Sequence, residues 1–320
     1  MLKKNIVHVR NLLGFLKEKY NGVFLVGYNS ITKLPINISI DYDASFGTTD
    51  KQSECNYIIL NGNLYYVDDY NSSLIRCGTS EKWSCVSGEG DSFFGYYAYG
   101  IDDGKLYALT SSTITQIGSA TKWTMVAGNS EDDGTFGVAY GISGGKLYRL
   151  IGTSITQVGS STGWTYVQGK SDKRGYYAFG INNGKLYLIS NTTITQVGTA
   201  TNFTEVQGDY QSNVGCGLAK TSDGKLHYFI GNNIEEVSPQ YNWSDFAFEY
   251  AISNGKLYYI DGSDAAQIGD SINWEKVSHN YAINKGIVYS LMSGTVRKKD
   301  VQQCKGIYGS NNAVALCKVE

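Results

Sequence analysis

Residue types that could carry chemistry are sparse in this chain of 320 residues. Its three histidines are His8, His227 and His279, and none lies in the pattern of a nucleophile with its base, a zinc site or a phosphate-binding loop. Glu54, Glu249 and His279 stand near predicted strand starts, where acid–base chemistry could be assembled, but solvated polar residues explain them more simply. We therefore predict no enzymatic activity and no catalytic residue, and activity lost on changing Glu249 or His279 would contradict this.

The cysteines do not indicate a metal site or a redox site. Six are scattered without CxxC spacing: Cys55, Cys77, Cys85, Cys216, Cys304 and Cys317. Cys77 stands where related segments carry Ile117, Val158 and Val197. We expect small buried hydrophobic residues in a reducing compartment, with no disulfide, metal or cofactor. The stretch SEDDG at 130–134 is acidic enough for calcium but lacks the alternating spacing of a dedicated calcium loop.

Composition narrows the class of protein. The chain has 38 glycines, 26 tyrosines and only two prolines, which favours many short strands joined by tight turns. A formal net charge of −2 provides no broad basic surface, so we expect no nucleic-acid partner. No apolar run is long enough to cross a membrane and the N-terminus lacks the pattern of a signal peptide, so we expect neither membrane insertion nor export.

Near-identical segments recur in the middle of the chain. GYYAYGIDDGKLYALTSSTITQIGSATKWTMVAG at 95–128 returns with small changes at 136–169 and 175–208. Two series of single residues extend this period, a turn glycine and an aromatic residue. The glycines are Gly62, Gly104, Gly145, Gly184, Gly224, Gly255 and Gly286, and the aromatic residues are Trp83, Trp123, Trp164, Phe203, Trp243 and Trp274. The two series keep step, so the repeating unit has about 40 residues.

Each unit divides into four short strands separated by turn signals. In the copy that begins at Gly95 they are A (YYAYGI), B (KLYALT), C (TITQIG) and D (WTMVAG). The A–B link is a DDG or NNG turn, which suits a two-residue hairpin with positive φ. A repeated four-stranded meander of this length is typical of a β-propeller blade. We therefore predict an all-β chain with a single propeller over residues 21–320.

The repeats also predict which residues are structural. Strand A is expected to be innermost, because blades converge on the axis and this strand carries small residues such as Ala98 and Gly100. The tryptophans that open strand D are expected to fill the space between blades rather than to stack on sugars. Four recurring glutamines are interpreted as structural, since a ligand site seldom repeats in every blade: Gln116, Gln157, Gln196 and Gln267.

The chain ends predict how the ring closes. Seven complete units begin near Cys55, Gly95, Phe136, Gly175, Val214, Glu249 and Asn280. At the N-terminus, 21–34 matches strands B and C and 36–43 can serve as D, while 306–318 supplies a D–A loop and strand A. We predict eight blades, with seven as the alternative, and a ring closed where the C-terminal strand A joins the N-terminal strands B–D. We also predict that residues 1–20 form an N-terminal helical segment, which either covers a propeller face or docks on a neighbouring chain.

Variation among the copies predicts the interaction site. The D–A and B–C connections share one face of the disc, here called the loop face, and the A–B and C–D connections share the other, the turn face. The D–A connections vary among copies whereas the A–B turns are nearly uniform, and variation marks what a scaffold presents. The predicted binding residues on the loop face are Asp91, Glu131, Asp132, Asp133, Asp172, Lys173, Arg174, Tyr210 and Gln211.

The copies with GKLYxL and ITQ(I/V)G resemble β-propeller repeat proteins over residues 21–320, and loosely the RCC1-like and tectonin groups. The low-charge, Tyr/Asn/Gly/Ser-rich style with recent duplications resembles virion appendage proteins of tailed phages. This resemblance implies a structural or adaptor component that docks other virion proteins, located in the virion if viral and otherwise in the cytoplasm. The alternative is a lectin-like propeller that binds surface glycans.

Overall fold

The computed structural model describes residues 22–26, 31–34, 57–68, 73–91, 95–110, 113–128, 138–172, 175–211, 214–292, 294–299, 304–308 and 313–317. Within these ranges, 31 strands form eight antiparallel sheets, seven of four strands and one of three. The predicted all-β propeller with four-stranded blades is confirmed. The helical segment predicted for residues 1–20 lies outside the described ranges, within which no helix is long and apolar enough to cross a membrane.

The strands fall into the four classes that the repeats define. The D strands are β6 (Trp83–Asp91), β10 (Trp123–Gly128), β14 (Trp164–Asp172), β18 (Phe203–Gln211), β22 (Trp243–Ala247), β26 (Trp274–Ser278) and β30 (Cys304–Tyr308). The A strands are β3 (Tyr57–Leu60), β7 (Gly95–Asp102), β11 (Val138–Ser143), β15 (Gly175–Asn182), β19 (Val214–Thr221), β23 (Tyr250–Ser253), β27 (Tyr281–Asn284) and β31 (Ala313–Cys317). The B strands are β1 (Gly22–Val26), β4 (Asn63–Asp68), β8 (Lys105–Thr110), β12 (Lys146–Ile151), β16 (Lys185–Ser190), β20 (Leu226–Ile230), β24 (Lys256–Asp261) and β28 (Ile287–Met292). The C strands are β2 (Ile31–Leu34), β5 (Ser73–Cys77), β9 (Thr113–Gln116), β13 (Ser154–Thr162), β17 (Thr193–Gln196), β21 (Asn233–Glu236), β25 (Asp264–Gln267) and β29 (Thr295–Lys298).

Every four-stranded sheet has the order D–A–B–C, so a blade joins the D strand of one sequence unit to the A, B and C strands of the next. Blade 1 comprises β3–β5, blades 2 to 7 comprise β6–β9 through β26–β29 in chain order, and blade 8 comprises β30, β31, β1 and β2. The stretch 36–43, predicted as a D strand, lies outside the described ranges.

Strand D, not strand A, is innermost, which corrects the prediction. The D strand of most blades contacts both the D and the A strand of the preceding blade, whereas the C strands carry exposed residues on the outer edge. Ser87 Oγ of β6 lies 3.0 Å from both the carbonyl oxygen and the amide nitrogen of Gly128 in β10. The small residues of strand A serve a different purpose, which is to leave room for tryptophan.

In blades 2 to 4, the indole of strand D lies across a glycine of strand A and reaches a tyrosine of strand B. A Cβ atom added at Gly180 would lie 2.7 Å from Cζ3 of Trp164, and the indole packs on Tyr187 with ring centroids 5.4 Å apart. The other face of Trp164 joins Ile142 and Leu147 of the preceding blade in one apolar cluster. The five tryptophans are at most 5% exposed, so their predicted role in the core between blades is confirmed.

A repeated hydrogen bond explains why the turn glycines and the aromatic residues keep step. Gly104 follows Asp103 in a turn where both have positive φ, as a tight hairpin requires. The Gly104 carbonyl then accepts the Trp123 amide of the next D strand at 3.0 Å. Equivalent bonds run from Trp83, Trp164, Phe203, Trp243, Trp274 and Cys304 to Gly62, Gly145, Gly184, Gly224, Gly255 and Gly286. Each blade is thus tied to its predecessor at the turn face.

The recurring glutamines are structural, as predicted. Gln116 Nε2 donates to the Gly118 carbonyl at 3.0 Å, within the turn that follows its own strand. The same bond recurs for Gln157, Gln196 and Gln267 at 2.8, 2.8 and 2.6 Å. Each glutamine side chain therefore donates a hydrogen bond to a carbonyl group in its own C–D turn.

The closure of the ring is confirmed, with one change in how the strands are divided. Strand β31 from the C-terminus pairs with β1 from the N-terminus, and Gly22 lies opposite Cys317. The fourth strand of this blade is β30, so each terminus contributes two strands rather than one and three. The residues assigned to a D–A loop at 306–308 belong to β30, because they pair with β31 in the register that every D strand uses.

The cysteine prediction is wrong for one residue. Cys77, Cys85 and Cys216 are buried thiols, as expected, but Cys304 is disulfide-bonded. Cys304 opens a D strand, where six other units carry an aromatic residue, and its Cα partner in the sheet is Cys317. The first residue of D faces the last residue of A in every complete blade, so aligning the repeats by register would have revealed this opposition.

Tyrosine hydroxyls link neighbouring blades at the loop face. Tyr99 donates to the carbonyl of Gly152 at 3.2 Å, and Tyr140 donates to the carbonyl of Asn191 at 2.9 Å, each across to the B–C turn of the next blade. Burial raises the pKa of Tyr140 to about 12 from its ordinary 10.0, and burial likewise raises the pKa of Tyr281 to about 12 and that of Tyr99 further still.

These shifts predict alkaline destabilisation. Above pH 10 the unfolded chain loses tyrosine protons that the folded chain retains up to about pH 12, so the free energy of unfolding falls over this window and is unaffected below it. Each such tyrosine contributes about 1.4 kcal/mol per pH unit. Tyr140→Phe should be less stable than wild type at pH 8, because a hydrogen bond worth about 1 kcal/mol is lost, yet should lose stability less steeply from pH 10 to 11.5. Urea midpoints across this range test the prediction, and equal slopes for the two proteins would contradict it.

Candidate functional site

The candidate site is the loop face, and the inner position of strand D brings the D–A connections close to the propeller axis. In blades 2, 4 and 5 the D and A strands extend beyond the sheet core as long hairpins. In blades 6 and 7 the link is a tight turn of two residues, 248–249 and 279–280. The loop face is therefore uneven around the axis, because long hairpins project from blades 2, 4 and 5 and only short turns project from blades 6 and 7.

The structure places four of the predicted binding residues at the ends of these hairpins. Asp91 pairs with Gly95, Asp172 with Gly175, and Tyr210 and Gln211 with Gly215 and Val214. These backbone positions lie on one face, as the strand order requires. The structure describes the backbone of these residues and not their side chains. Glu131, Asp132, Asp133, Lys173 and Arg174 are outside the described ranges, so their role stays a prediction.

Beneath the loops, buried polar side chains join neighbouring D strands. Gln168 Oε1 accepts the Gly208 amide at 2.9 Å, and Gln207 Nε2 donates to the Tyr166 hydroxyl at 3.3 Å. Asp245 Oδ2 accepts the Val277 amide at 2.9 Å. Two of these bonds satisfy backbone amides and the third joins two side chains, and all three fix the relative positions of the blades. They give the loop face a rigid base.

Exposed apolar side chains gather on the loop face, a feature that the sequence analysis missed. Among the described residues, five large hydrophobic side chains are exposed, and four lie on this face: Ile151, Val214, Ile230 and Met292, at 41, 38, 45 and 50%. Three of these are the last residue of a B strand, in blades 3, 5 and 7. The fifth, Ile272, is in a C–D connection on the turn face. Comparing the last B residue across the repeats could have found the pattern.

Two of the residues considered for catalysis lie in the tight turns of blades 6 and 7. His279 stacks on Phe248, with ring planes 8° apart and centroids 5.8 Å apart. Glu249 follows Phe248 and is half-buried, and burial raises the pKa of its carboxyl, with a smaller contribution from the charge of Asp261. Tyr259 is next to this carboxylate, whose charge raises the pKa of its phenol.

This arrangement places a half-buried stacked aromatic pair close to a carboxylate. Phe248 occupies one face of the His279 ring, and the charge that acts on the Glu249 carboxyl is that of another acid, Asp261. No group of three or more His, Cys, Asp or Glu side chains within the described ranges is arranged to hold a metal ion. Glu54, the third candidate, lies outside those ranges.

Comparison with known proteins identifies the fold of the chain and leaves its function open. No protein-family model matches the chain, and no curated protein matches its sequence. Solved structures do match. Dihydro-haem d1 dehydrogenase NirN, in complex with its ligand DHE, aligns with a TM-score of 0.55 at 12% identity over 90% of this chain and 74% of that one. The β-propeller domain of Swd1 from Myceliophthora thermophila aligns with a TM-score of 0.50 at 11% identity over 83% of this chain and all of that one.

PorZ, a surface component of the type-IX secretion system of Porphyromonas gingivalis, aligns with a TM-score of 0.49 at 14% identity over 81% of this chain. The chain spans only 39% of the length of PorZ. The fold is a β-propeller. At these identities the likeness extends to the fold alone, because one scaffold carries many unrelated functions.

Proposed function

We propose that this protein is a non-enzymatic propeller that docks other protein subunits through its loop face. The observation that carries the proposal is that, of the five large hydrophobic side chains exposed in the described part of the chain, four lie on that face. Exposed apolar residues grouped on one side of a rigid scaffold are typical of protein contact surfaces. The strand ends that lead into the variable D–A connections lie on the same face, and they include four of the predicted binding residues, Asp91, Asp172, Tyr210 and Gln211.

The finer assignment is a virion component, such as a tail or capsid appendage of a phage. Its support is the resemblance in composition and in recent duplication, together with the disc shape of a propeller, which suits an adaptor between larger parts. Capsid or tail genes beside the gene for this chain would support the assignment, and their absence would weigh against it.

A lectin-like function has less support from the side chains. Sugar stacking needs an accessible aromatic face, and the repeated tryptophans are buried between blades. The Phe248–His279 pair in the tight turns of blades 6 and 7 is half-buried, and it is single rather than repeated in every blade. A glycan array with the full chain decides the matter, because specific multivalent binding would favour the lectin.

The docking proposal predicts a difference between faces. Ile151→Ser, Ile230→Ser and Met292→Ser combined should abolish the capture of partner subunits, whereas the matched change Ile272→Ser on the turn face should retain it. These side chains are exposed, so each change should alter the free energy of unfolding by no more than about 0.5 kcal/mol. Affinity purification from the source cells or particles with both variants is the measurement. Capture that survives the loop-face change but is lost with Ile272→Ser would show that the turn face is the docking surface.

A further inference from the structure

Charge is divided unevenly between the two faces of the disc. Among the described residues, the turns of the loop face and the strand ends that flank them contain six acidic residues and no lysine or arginine: Asp68, Asp91, Asp172, Glu249, Asp261 and Asp264. The described part of the loop face is therefore acidic in a protein whose net charge is only −2.

Described residues of blade 6 show this crowding directly. Asp261 and Asp264 are Cα partners across a B–C turn, and both are exposed. Glu249 is close enough to Asp261 for that charge to raise the pKa of its carboxyl, in addition to the effect of burial. Exposed Ile230 and Met292 end the B strands of the two adjoining blades. This side of the loop face therefore combines apolar side chains with excess negative charge, and it fits a partner segment that is both apolar and basic.

Such a segment exists in the chain itself. Residues 1–20 contain five basic residues and one acidic residue, with an apolar stripe at Ile6, Val9, Leu13 and Leu16 in the helical register. The segment leads into β1 at Gly22, which pairs with Cys317 at the end of strand A that borders the A–B turn. The basic segment therefore joins the propeller at the turn face, on the side opposite the acidic loop face.

We propose that residues 1–20 of one copy dock on the acidic loop face of a second copy, so that the discs associate head to tail. The proposal rests on the docking role of the loop face proposed above and names a partner for it. Because the donor and acceptor surfaces lie on opposite faces, one contact leaves a free donor and a free acceptor, and the contact is heterologous. Association should therefore continue beyond the dimer as concentration rises.

The test uses the full chain and two variants in sedimentation experiments. The donor variant carries Lys3→Gln, Lys4→Gln and Arg10→Gln, which removes positive charge without creating a segment that would attract the altered acceptor, and the acceptor variant carries Asp261→Lys and Asp264→Lys. The wild type should form species heavier than 35.1 kDa as concentration increases, weakening about tenfold or more between low salt and 0.3 M salt. Each variant alone should remain monomeric. A matched control, Asp270→Lys with Glu275→Lys on the turn-face side, should associate like the wild type.

Mixing the two variants gives the decisive result. The acceptor variant keeps an intact N-terminal segment and the donor variant keeps an intact loop face, so together they should form one contact and stop at the dimer. A wild type that stays monomeric at about 100 μM, well above typical working concentrations for weak association, would overturn the proposal. So would association that survives in the donor variant. A monomer whose melting temperature falls in the donor variant would show that the segment covers its own propeller.

Failure of this inference can be told apart from failure of the docking proposal. If the chain is monomeric but the loop-face changes at Ile151, Ile230 and Met292 still abolish capture of another subunit, docking stands and self-association does not. If the discs associate and no other subunit is captured, the reverse holds.

Discussion

Ending the chain after Gly309 is expected to abolish cooperative folding of the propeller. The truncation removes β31, which pairs on one side with β30 and on the other with β1. Without it, β1 and β2 from the N-terminus have no sheet to join, and blade 8 divides into separate pieces. A loss of about 5 kcal/mol or more would lower the melting temperature of a domain this large by about 7 °C or more. Circular dichroism during heating is the measurement.

The matched control ends the chain after Lys318, which keeps every residue of β31. This protein should melt close to the full chain, because the truncation leaves the pairing of blade 8 intact. If the chain that ends after Gly309 melted as the control does, the ring would not depend on strand pairing between its termini.

Trp164→Ala is expected to have the largest effect of any single substitution in a blade. The indole fills the space above Gly180, packs on Tyr187 and contacts the apolar core of the preceding blade. Truncation of a buried tryptophan to alanine typically costs about 3–5 kcal/mol. The glycine beneath it has no side chain to fill the gap, so we expect the upper end of this range. Urea denaturation at pH 7 gives the free energy of unfolding.

Thr165→Ala serves as the matched control, because the adjacent side chain is exposed. Its hydroxyl donates to the Ile181 carbonyl at 3.4 Å, a long bond with little to lose. A shift of no more than about 0.5 kcal/mol is expected for the control. Equal losses for the two variants would mean that the indole is not the principal contact between blades 3 and 4.

Most of the fold could be predicted from the sequence repeat, because each strand class keeps its own residue types in every copy. The periodic turn glycines and the tryptophans were enough to predict blades and ring closure. The inner strand was predicted wrongly because small residues such as Gly100 were interpreted as a sign that strand A lies near the axis, where space for side chains is limited. The structure shows that they make room for Trp83 within the sheet. Local composition could not separate these two causes, since both favour glycine and alanine.

The candidate site was predicted only in outline, for a physical reason. The sequence identified the loop face from the variability of the D–A connections, but variability gives no information about exposure. Ile151, Ile230 and Met292 look like ordinary strand residues in the sequence, and their exposure follows from ending a B strand at the rim of the face. The disulfide at Cys304 was missed because its Cα partner, Cys317, is close only in the register of the hairpin.

The mismatch between the repeating unit and the blade has an evolutionary consequence. A sequence unit runs from A to D, whereas a blade runs from D to C, so each unit supplies three strands to one blade and the innermost strand to the next. Each blade combines strands from two neighbouring units, so no blade can form from a single unit. A duplication or loss of one whole unit therefore leaves every junction of the same kind as before. Rings of this design can gain or lose a blade in a single genetic step, and the near-identical copies at 95–128, 136–169 and 175–208 are what such steps leave behind.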